Sequence, residues 1–167
     1  MSRTTRVFWP LALVVLLVDC TTKELAVEHL SPAHVPHDVL GSAVRLTLTY
    51  NPGMALGIEL GPWSRPLLIL LAFAAIAVLL HLYRRIGGRD RALAAALGLL
   101  CGGAAGNLLD RVRGTRGVID FIDIGAGHLR FWTFNVADVA VTLGAFFLAL
   151  LLWRHDRTPA PTTPQAR

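Results

Sequence analysis

The chain has 167 residues, of which 54% are hydrophobic and only 16% are charged, and its mean hydropathy is +0.54. This composition excludes an ordinary soluble domain and indicates a membrane protein of a single domain. The net charge of +5 does not indicate nucleic-acid binding, because the basic residues flank apolar segments, where they set membrane orientation instead.

Four apolar stretches predict an all-α integral membrane protein with four transmembrane helices, because a helix needs roughly 17–25 residues to cross a bilayer. We expect residues 1–153 to form one membrane-embedded domain and residues 154–167, rich in Pro and Thr, to form a disordered cytoplasmic tail. The first stretch is predicted to be an uncleaved helix rather than a signal peptide, because three further apolar stretches follow it. The predicted helices lie at about 7–22, 67–83, 92–109 and 134–153.

The two longer connections, 27–66 and 110–133, are expected on the outer side of the membrane. Apolar and polar residues alternate over 43–50, a period typical of a strand, and Asn51, Pro52 and Gly53 follow as a turn. The sequence therefore predicts a small extracytoplasmic β element that rests on the mouth of the helix bundle.

Arginines predict the orientation of the bundle. Four of the eight residues in 84–91 are Arg, and further Arg residues lie near both termini. Because positive residues favour the cytoplasmic side, we expect both termini in the cytoplasm. The outer connection 110–133 also holds four Arg residues, so this orientation is favoured rather than forced.

Two aspartates near one membrane face are the candidate catalytic residues. Asp138 lies near the start of the last apolar stretch, and Asp120 lies just upstream of it. A carboxylate at membrane depth is costly unless it is paired or faces a polar cavity, so it indicates a functional site. Two such groups predict a pair that shares a proton and activates water, as in aspartic proteases. Asp123 ranks lower as a partner because no helix start fixes its position.

Other polar residues of the apolar stretches also collect at the outward ends. Asp19 and Lys23 are four residues apart and are predicted to form a structural ion pair. Asp110 and Arg111 either form an ion pair at the membrane interface or cap the helix. Helical spacing groups Asn107 with Asp110 and Arg111 at the end of the third stretch. It likewise groups Asn135 with Asp138 and Thr142 at the start of the fourth.

Three glycines at four-residue spacing, Gly98, Gly102 and Gly106, predict a close helix-packing face. We expect no metal and no cofactor, because the histidines and cysteines match no strong metal-binding pattern. These residues are His29, His34, His37, Cys20 and Cys101.

Five segments occur in order through most of the chain: DCTTK at 19–23, NPGMALG at 51–57, GGAAGNLLDR at 102–111, VIDFI at 118–122 and FNVAD at 134–138. Together they resemble one family, the lipoprotein signal peptidases (signal peptidase II), which are bacterial intramembrane aspartyl peptidases. The family usually has Phe where this chain has Leu56, and the stretch around 113–117 is one residue longer than the usual pattern.

The resemblance implies an aspartic endopeptidase that removes signal peptides from diacylglyceryl-modified prolipoproteins by cleaving before the lipidated cysteine. Asp120 and Asp138 would be its catalytic residues. We expect a monomer in the bacterial inner membrane, with the active site near the outer face and with prolipoproteins and membrane lipid as partners. The implied substrate pocket contains Asn51, Gly53, Asn107, Arg111 and Asn135, and the implied structural polar residues are Asp19, Lys23 and Asp110.

Two alternative functions predict other polar patterns. A transporter or channel would place polar residues along a path through the membrane, whereas here they stop at the outer third. An enzyme of lipid headgroup transfer would use paired aspartates to hold a metal. Asp120 and Asp123 have the spacing of part of that motif, but the glycine and Ala-Arg pattern that should follow is absent.

Overall fold

Four long helices and a four-stranded antiparallel sheet make up the part of the chain that the structure describes, which is residues 3–53, 61–87, 90–127 and 129–156 of a computed structural model. A 3₁₀ turn, Gly61–Trp63, precedes α2, and a π-helical turn, Tyr83–Gly87, follows it. In chain order the elements are α1 (Thr5–His29), β1 (Pro36–Leu40), β2 (Val44–Asn51), α2 (Ser64–Leu82), α3 (Arg91–Arg113), β3 (Val118–Ala126), β4 (Leu129–Arg130) and α4 (Val136–Asp156).

The helices extend beyond the apolar stretches that predicted them. α1 continues past residue 22 to His29, because Asp19 and Lys23 pair one helical turn apart instead of ending the helix. α4 includes residues 154–156, which were expected in the tail. The rest of that tail, 157–167, and the segment 54–57 of the second motif lie outside the described residues.

Within the described residues, three helices are long and apolar enough to cross a membrane. These spans are Ser64–Arg85, Arg91–Arg113 and Val136–Arg154, with mean hydropathies of 2.4, 1.7 and 2.2. α1 is not among them, and it differs from them in carrying Asp19 and Lys23 in its second half. The predicted helical membrane architecture with a small sheet is confirmed, with three crossings by this criterion rather than four.

α3 packs against the three other helices. A Cβ atom at Gly102 would lie 2.6 Å from the carbonyl oxygen of Ala12 on α1, and one at Gly103 would lie 2.5 Å from that of Ala137 on α4. Only glycine permits these close backbone approaches, as at small-residue helix interfaces in membranes. The polar residues at the end of α3 are thereby held between α1 and α4.

The sheet has the strand order β1-β2-β3-β4 and covers one end of the helices. β2 matches the alternating segment 43–50 that predicted a strand. Leu48 of β2 and Phe121 of β3 are buried against Ala26 and Leu30 at the end of α1. In the β2–β3 register, Thr49 lies opposite Asp120. β3 therefore carries Asp120 to the point where α1, α3 and α4 meet.

Candidate active site

Asp138 lies in the first turn of α4 and forms a reciprocal cap with Asn135. The backbone N–H of Asn135 donates to Asp138 Oδ2 at 3.1 Å, and the backbone N–H of Asp138 donates to Asn135 Oδ1 at 3.0 Å. This is the capping-box arrangement, which satisfies N–H groups that a helix start leaves without partners. The carboxylate of Asp138 is therefore held in one orientation by its own helix.

Asp120 on β3 reaches the same asparagine from the sheet. Its side chain is only 4% exposed, and its Oδ1 accepts a 2.6 Å hydrogen bond from Asn135 Nδ2. The side chain of Asn51 also hydrogen-bonds to Asp120. Asn135 is completely buried, and its side-chain amide binds both the carboxylate of Asp120 and the backbone N–H of Asp138. Its own backbone N–H binds the carboxylate of Asp138, so one residue fixes the two aspartates relative to each other.

Burial raises the pKa of Asp120 from 3.8 to about 7, and the nearby charge of Asp138 adds to the increase. The hydrogen bonds from Asn135 and Asn51 and the positive charge of Lys23 oppose it. Asp120 therefore keeps its proton to near-neutral pH. An acid group with this pKa can give up and take back a proton near pH 7.

The ammonium group of Lys23 connects the helix ends to this pair. Its Nζ lies 2.7 Å from Asp19 Oδ2, 2.8 Å from Asp110 Oδ2 and 2.9 Å from Asn107 Oδ1. Each of its three N–H donors thus has an acceptor. Because the oxygen of Asn107 faces Lys23, its Nδ2 faces Asp138 and donates to Oδ1 at 2.8 Å.

The two carboxylates bound to Lys23 also hold neighbouring backbone. Asp19 Oδ1 accepts from the N–H of Ala137 at 2.8 Å, and Asp110 Oδ2 accepts from the N–H of Ile119 at 3.2 Å. The predicted Asp19–Lys23 pair is present. The alternative ion pair between Asp110 and Arg111 is wrong, because Asp110 binds Lys23 from α1 instead.

Arg111 lies beside the aspartates, half buried, and its charge interacts with both Asp120 and Asp138. Its Nη1 donates to the carbonyl oxygen of Asn107 at 3.0 Å. No sequence pattern pointed to Arg65, whose Nε donates to the carbonyl oxygen of Arg111 at 2.8 Å. Arg65 holds the end of α3 from the start of α2, and only the tertiary fold brings these helix ends together.

Gly53 is buried at the end of the β2 turn and has a positive φ of 114°. Its N–H donates to Asn51 Oδ1 at 2.9 Å, a local turn that orients the Asn51 side chain. A side chain at Gly53 would be strained in this conformation and would collide with Leu68 on α2.

Asp123 does not join the aspartate pair. Its Oδ1 lies 2.6 Å from Arg130 Nε, and its Oδ2 accepts from Thr47 Oγ1 at 3.1 Å. Residues three apart on a strand point to opposite faces, so Asp120 and Asp123 do not form a metal-binding fragment. Across the described residues, no group of three or more His, Cys, Asp or Glu side chains could hold a metal ion.

Comparisons with known proteins now identify the family. The profile of the family described as Signal peptidase (SPase) II matches residues 11–154. The chain belongs to the signal peptidase II family. It is 40% identical to a lipoprotein signal peptidase of Paraburkholderia phytofirmans over 83% of this chain and 80% of that protein. It is 36% identical to the one of Nitratidesulfovibrio vulgaris over 93% of both chains.

Two solved structures share the fold. A bacterial membrane enzyme solved by the in meso method at 1.9 Å resolution is 26% identical, with a TM-score of 0.75 over 85% of this chain and 89% of that one. A second, solved at 2.3 Å, is 24% identical, with a TM-score of 0.80 over 93% and 92%. The predicted identity as a signal peptidase II, an aspartic-type protease that acts on prolipoproteins, is confirmed.

Proposed function

We propose that Asp120 and Asp138 are the catalytic pair of this peptidase and that its substrates are diacylglyceryl-modified prolipoproteins, cut before the lipidated cysteine. The bridge formed by Asn135 carries the proposal, because it holds two carboxylates from different elements at one point. No nucleophilic side chain and no cofactor are needed, since an ionised and a protonated carboxyl together can activate water.

We assign the base role to Asp138 and the acid role to Asp120. Asp138 accepts N–H donors from Asn107 and from the backbone of Asn135, and it lies in the first turn of α4, where the helix dipole stabilises negative charge. Asp120 is the more buried group and holds its proton to near-neutral pH. Asp138 would take a proton from water while Asp120 polarises the scissile carbonyl, and a proton then passes to the leaving amine.

The five residues of the proposed substrate pocket divide by the contacts they make. Asn135 is fully buried and Asn107 is bound by Lys23, so we assign both to orienting the carboxylates. Arg111 has a planar guanidinium that suits substrate carbonyl or ester oxygens, and only one of its donors is used by Asn107. Asn51, on the turn shaped by Gly53, approaches the pair from the sheet.

We propose that α1 is the fourth transmembrane helix and that both termini are cytoplasmic. α1 exposes a face of apolar residues that includes Leu13 and Leu17, which suits lipid rather than water. All four tryptophans are exposed and lie at the two ends of the bundle, as in the aromatic belts of membrane proteins. They are Trp9 and Trp153 at one end and Trp63 and Trp132 at the other.

The enzyme is proposed to act as a monomer in the bacterial inner membrane, with the aspartates near the outer face. One chain supplies every contact of the aspartate pair described above, so the site needs no second copy. The signal helix of the substrate would reach the pair from the lipid, and the sheet would lie over the mouth of the bundle.

Cleavage of a diacylglyceryl-modified prolipoprotein by the purified enzyme tests the catalytic assignment. Asp120→Asn and Asp138→Asn should each abolish cleavage while the protein remains folded. Asp38→Asn is the matched control, because Asp38 lies on the same sheet but is exposed and pairs with Arg45. Wild-type turnover by either dyad variant would disprove the assignment. Cleavage of the unlipidated precursor at the same rate would disprove the substrate class.

Site-directed labelling tests the orientation. With the native cysteines replaced, Thr115→Cys in the connection after α3 should react with an impermeant reagent added from outside. Arg85→Cys in the π-helical turn after α2 should react only after the membrane is permeabilised. Both residues are exposed, so access depends on the side of the membrane. The reverse labelling pattern would place the aspartates on the cytoplasmic side and contradict the proposal.

A further inference from the structure

Apart from the aspartate pair, a cavity lies between α1, the end of α3 and the connection to β3. Its volume is about 230 Å³, and neither Asp120 nor Asp138 lines it. The Lys23–Asp110 ion pair forms part of its wall and separates it from the aspartates. This cavity is therefore not part of the proposed peptidase site, and the mechanism does not use it.

Two arginines give this cavity positive charge. Arg113 and Arg116 both line it, and neither forms an ion pair within the described part of the chain. The guanidinium of Arg116 lies 4.0 Å from the ring centroid of Tyr50, which holds it in place by a cation–π contact. Among the described residues that line the cavity, Glu24, exposed at the rim, is the one carboxylate outside the Lys23–Asp110 pair. These described residues therefore carry a net positive charge.

The structure also accounts for the four arginines of the outer connection. Arg111 turns inward to Asn107, and Arg130 pairs with Asp123. The remaining two, Arg113 and Arg116, converge on this cavity. Positive residues are normally depleted from the outer ends of membrane helices, so two uncommitted arginines at one point indicate a negatively charged ligand.

The level of the cavity in the membrane indicates which ligand. The apolar span of α3 ends at Arg113, which places this residue at the depth of lipid headgroups. Leu109, one helical turn below, lines the same cavity. The site thus has positive charge above and apolar surface below, which is the polarity of a phospholipid at the membrane interface.

We propose that this cavity binds the phosphate headgroup of an anionic glycerophospholipid, with Arg113 and Arg116 as the phosphate ligands and Leu109 against the start of an acyl chain. Guanidinium groups bind phosphate oxygens with two parallel hydrogen bonds. The inference rests on the proposed membrane embedding. Gly117, at the end of the same connection, packs closely on the backbone of Asn51, so a bound lipid would also steady the start of β3.

The native thiol of Cys20 lies in the cavity wall and can report occupancy. Its alkylation would be measured by mass spectrometry on the full chain in micelles that contain phosphatidylglycerol or phosphatidylcholine. Phosphatidylglycerol should slow alkylation several-fold, and phosphatidylcholine should not. Cys101 is buried in the helix core, so its lack of reaction shows that each variant is folded.

Charge-removing variants should change the lipid concentration that gives half-maximal protection of Cys20. A basic residue near headgroups is worth roughly a fivefold change in affinity, so Arg113→Gln with Arg116→Gln should raise the half-protecting lipid concentration roughly 25-fold. Glu24→Gln should lower it, because it removes the opposing charge. Arg45→Gln is the matched control, since Arg45 is an arginine of the sheet that pairs with Asp38 outside this cavity. It should behave as the wild type.

The proposal would be overturned if phosphatidylglycerol protected Cys20 equally in the wild type and in the double arginine variant. Equal protection by phosphatidylcholine would overturn it too, because the charge would then be irrelevant. If inorganic phosphate protected Cys20 at the same concentration, the ligand of the cavity would be a free anion and the lipid proposal would be wrong. The assay uses no peptidase substrate, and Asp138→Asn should keep its protection, so a failure of the catalytic proposal would leave this result unaffected.

Discussion

Replacing Asp120 by Asn should stabilise the folded enzyme at alkaline pH while it abolishes catalysis. Asp120 is 4% exposed, and burial with the charge of Asp138 raises its pKa to about 7. Above that pH the folded protein must hold a buried carboxylate that the unfolded chain exposes to water. In the Asp120→Asn variant the new amide has no charge to bury, and its carbonyl oxygen could still accept the hydrogen bond from Asn135.

The magnitude follows from the pKa difference. An increase from 3.8 to about 7, at about 1.36 kcal/mol per pH unit, corresponds to about 4 kcal/mol. Because the pKa is raised in the folded state, the penalty is absent below about pH 4. It grows between about pH 4 and 7 and stays constant above that range. The stability of Asp120→Asn relative to the wild type should follow this curve.

Unfolding by sodium dodecyl sulfate in mixed micelles, followed by circular dichroism, would measure the difference between pH 5 and pH 9. The free energy of unfolding of Asp120→Asn relative to the wild type should grow by roughly 3 kcal/mol over this interval. The control Glu28→Gln removes an exposed carboxylate from α1 and shows how much of the change comes from the loss of one negative charge alone. A difference for Asp120→Asn that is independent of pH would refute the view that Asp120 keeps its proton near neutrality.

Two further predictions concern catalysis by the same pair and its surroundings. The value of kcat/KM should fall about tenfold per pH unit above about pH 7, because Asp120 must be protonated to polarise the carbonyl, and a constant rate to pH 9 would contradict this role. Arg111→Gln should lower kcat/KM roughly tenfold or more, the loss expected for one charge-assisted hydrogen bond, with little effect on unfolding. Arg45→Gln should leave the rate unchanged, and an equally active Arg111→Gln would remove Arg111 from the substrate site.

Local patterns predicted the elements whose two faces differ. β2 alternates because one face packs on α1, so the period of two over 43–50 was readable. β3 lacks that signal because Asp120 and Asp123 are both buried, each in polar contacts on its own face of the strand. β1 is exposed along its whole length, so no apolar alternation marks it. The sequence therefore indicated a β element but not its four strands.

The positions of the polar residues were predictable as a group, whereas their partners were not. The alternating direction of the predicted helices placed Asp19, Asp110 and Asp138 at the same end of the bundle, and the structure brings all three there. The ion pair from α1 to Asp110 depends on how close α1 and α3 approach. That approach is set by glycine contacts such as Gly102 on the backbone of Ala12, which no spacing along a single helix reveals.

Lys23 connects the Asp19 and Asp110 carboxylates to the proposed catalytic Asp138 through the side-chain amide of Asn107. An ammonium group only donates, so it fixes the oxygen of Asn107 toward itself and the NH2 toward Asp138. Lys23→Met alone should cost about 3–5 kcal/mol, because it leaves Asp19 and Asp110 buried without their partner. Adding Asp19→Asn and Asp110→Asn removes those charges and should restore folding. If Lys23 orients Asn107, this triple variant should fold yet show a reduced kcat and a shifted pH profile. A triple variant with wild-type kcat and pH profile would show that Lys23 serves the scaffold alone.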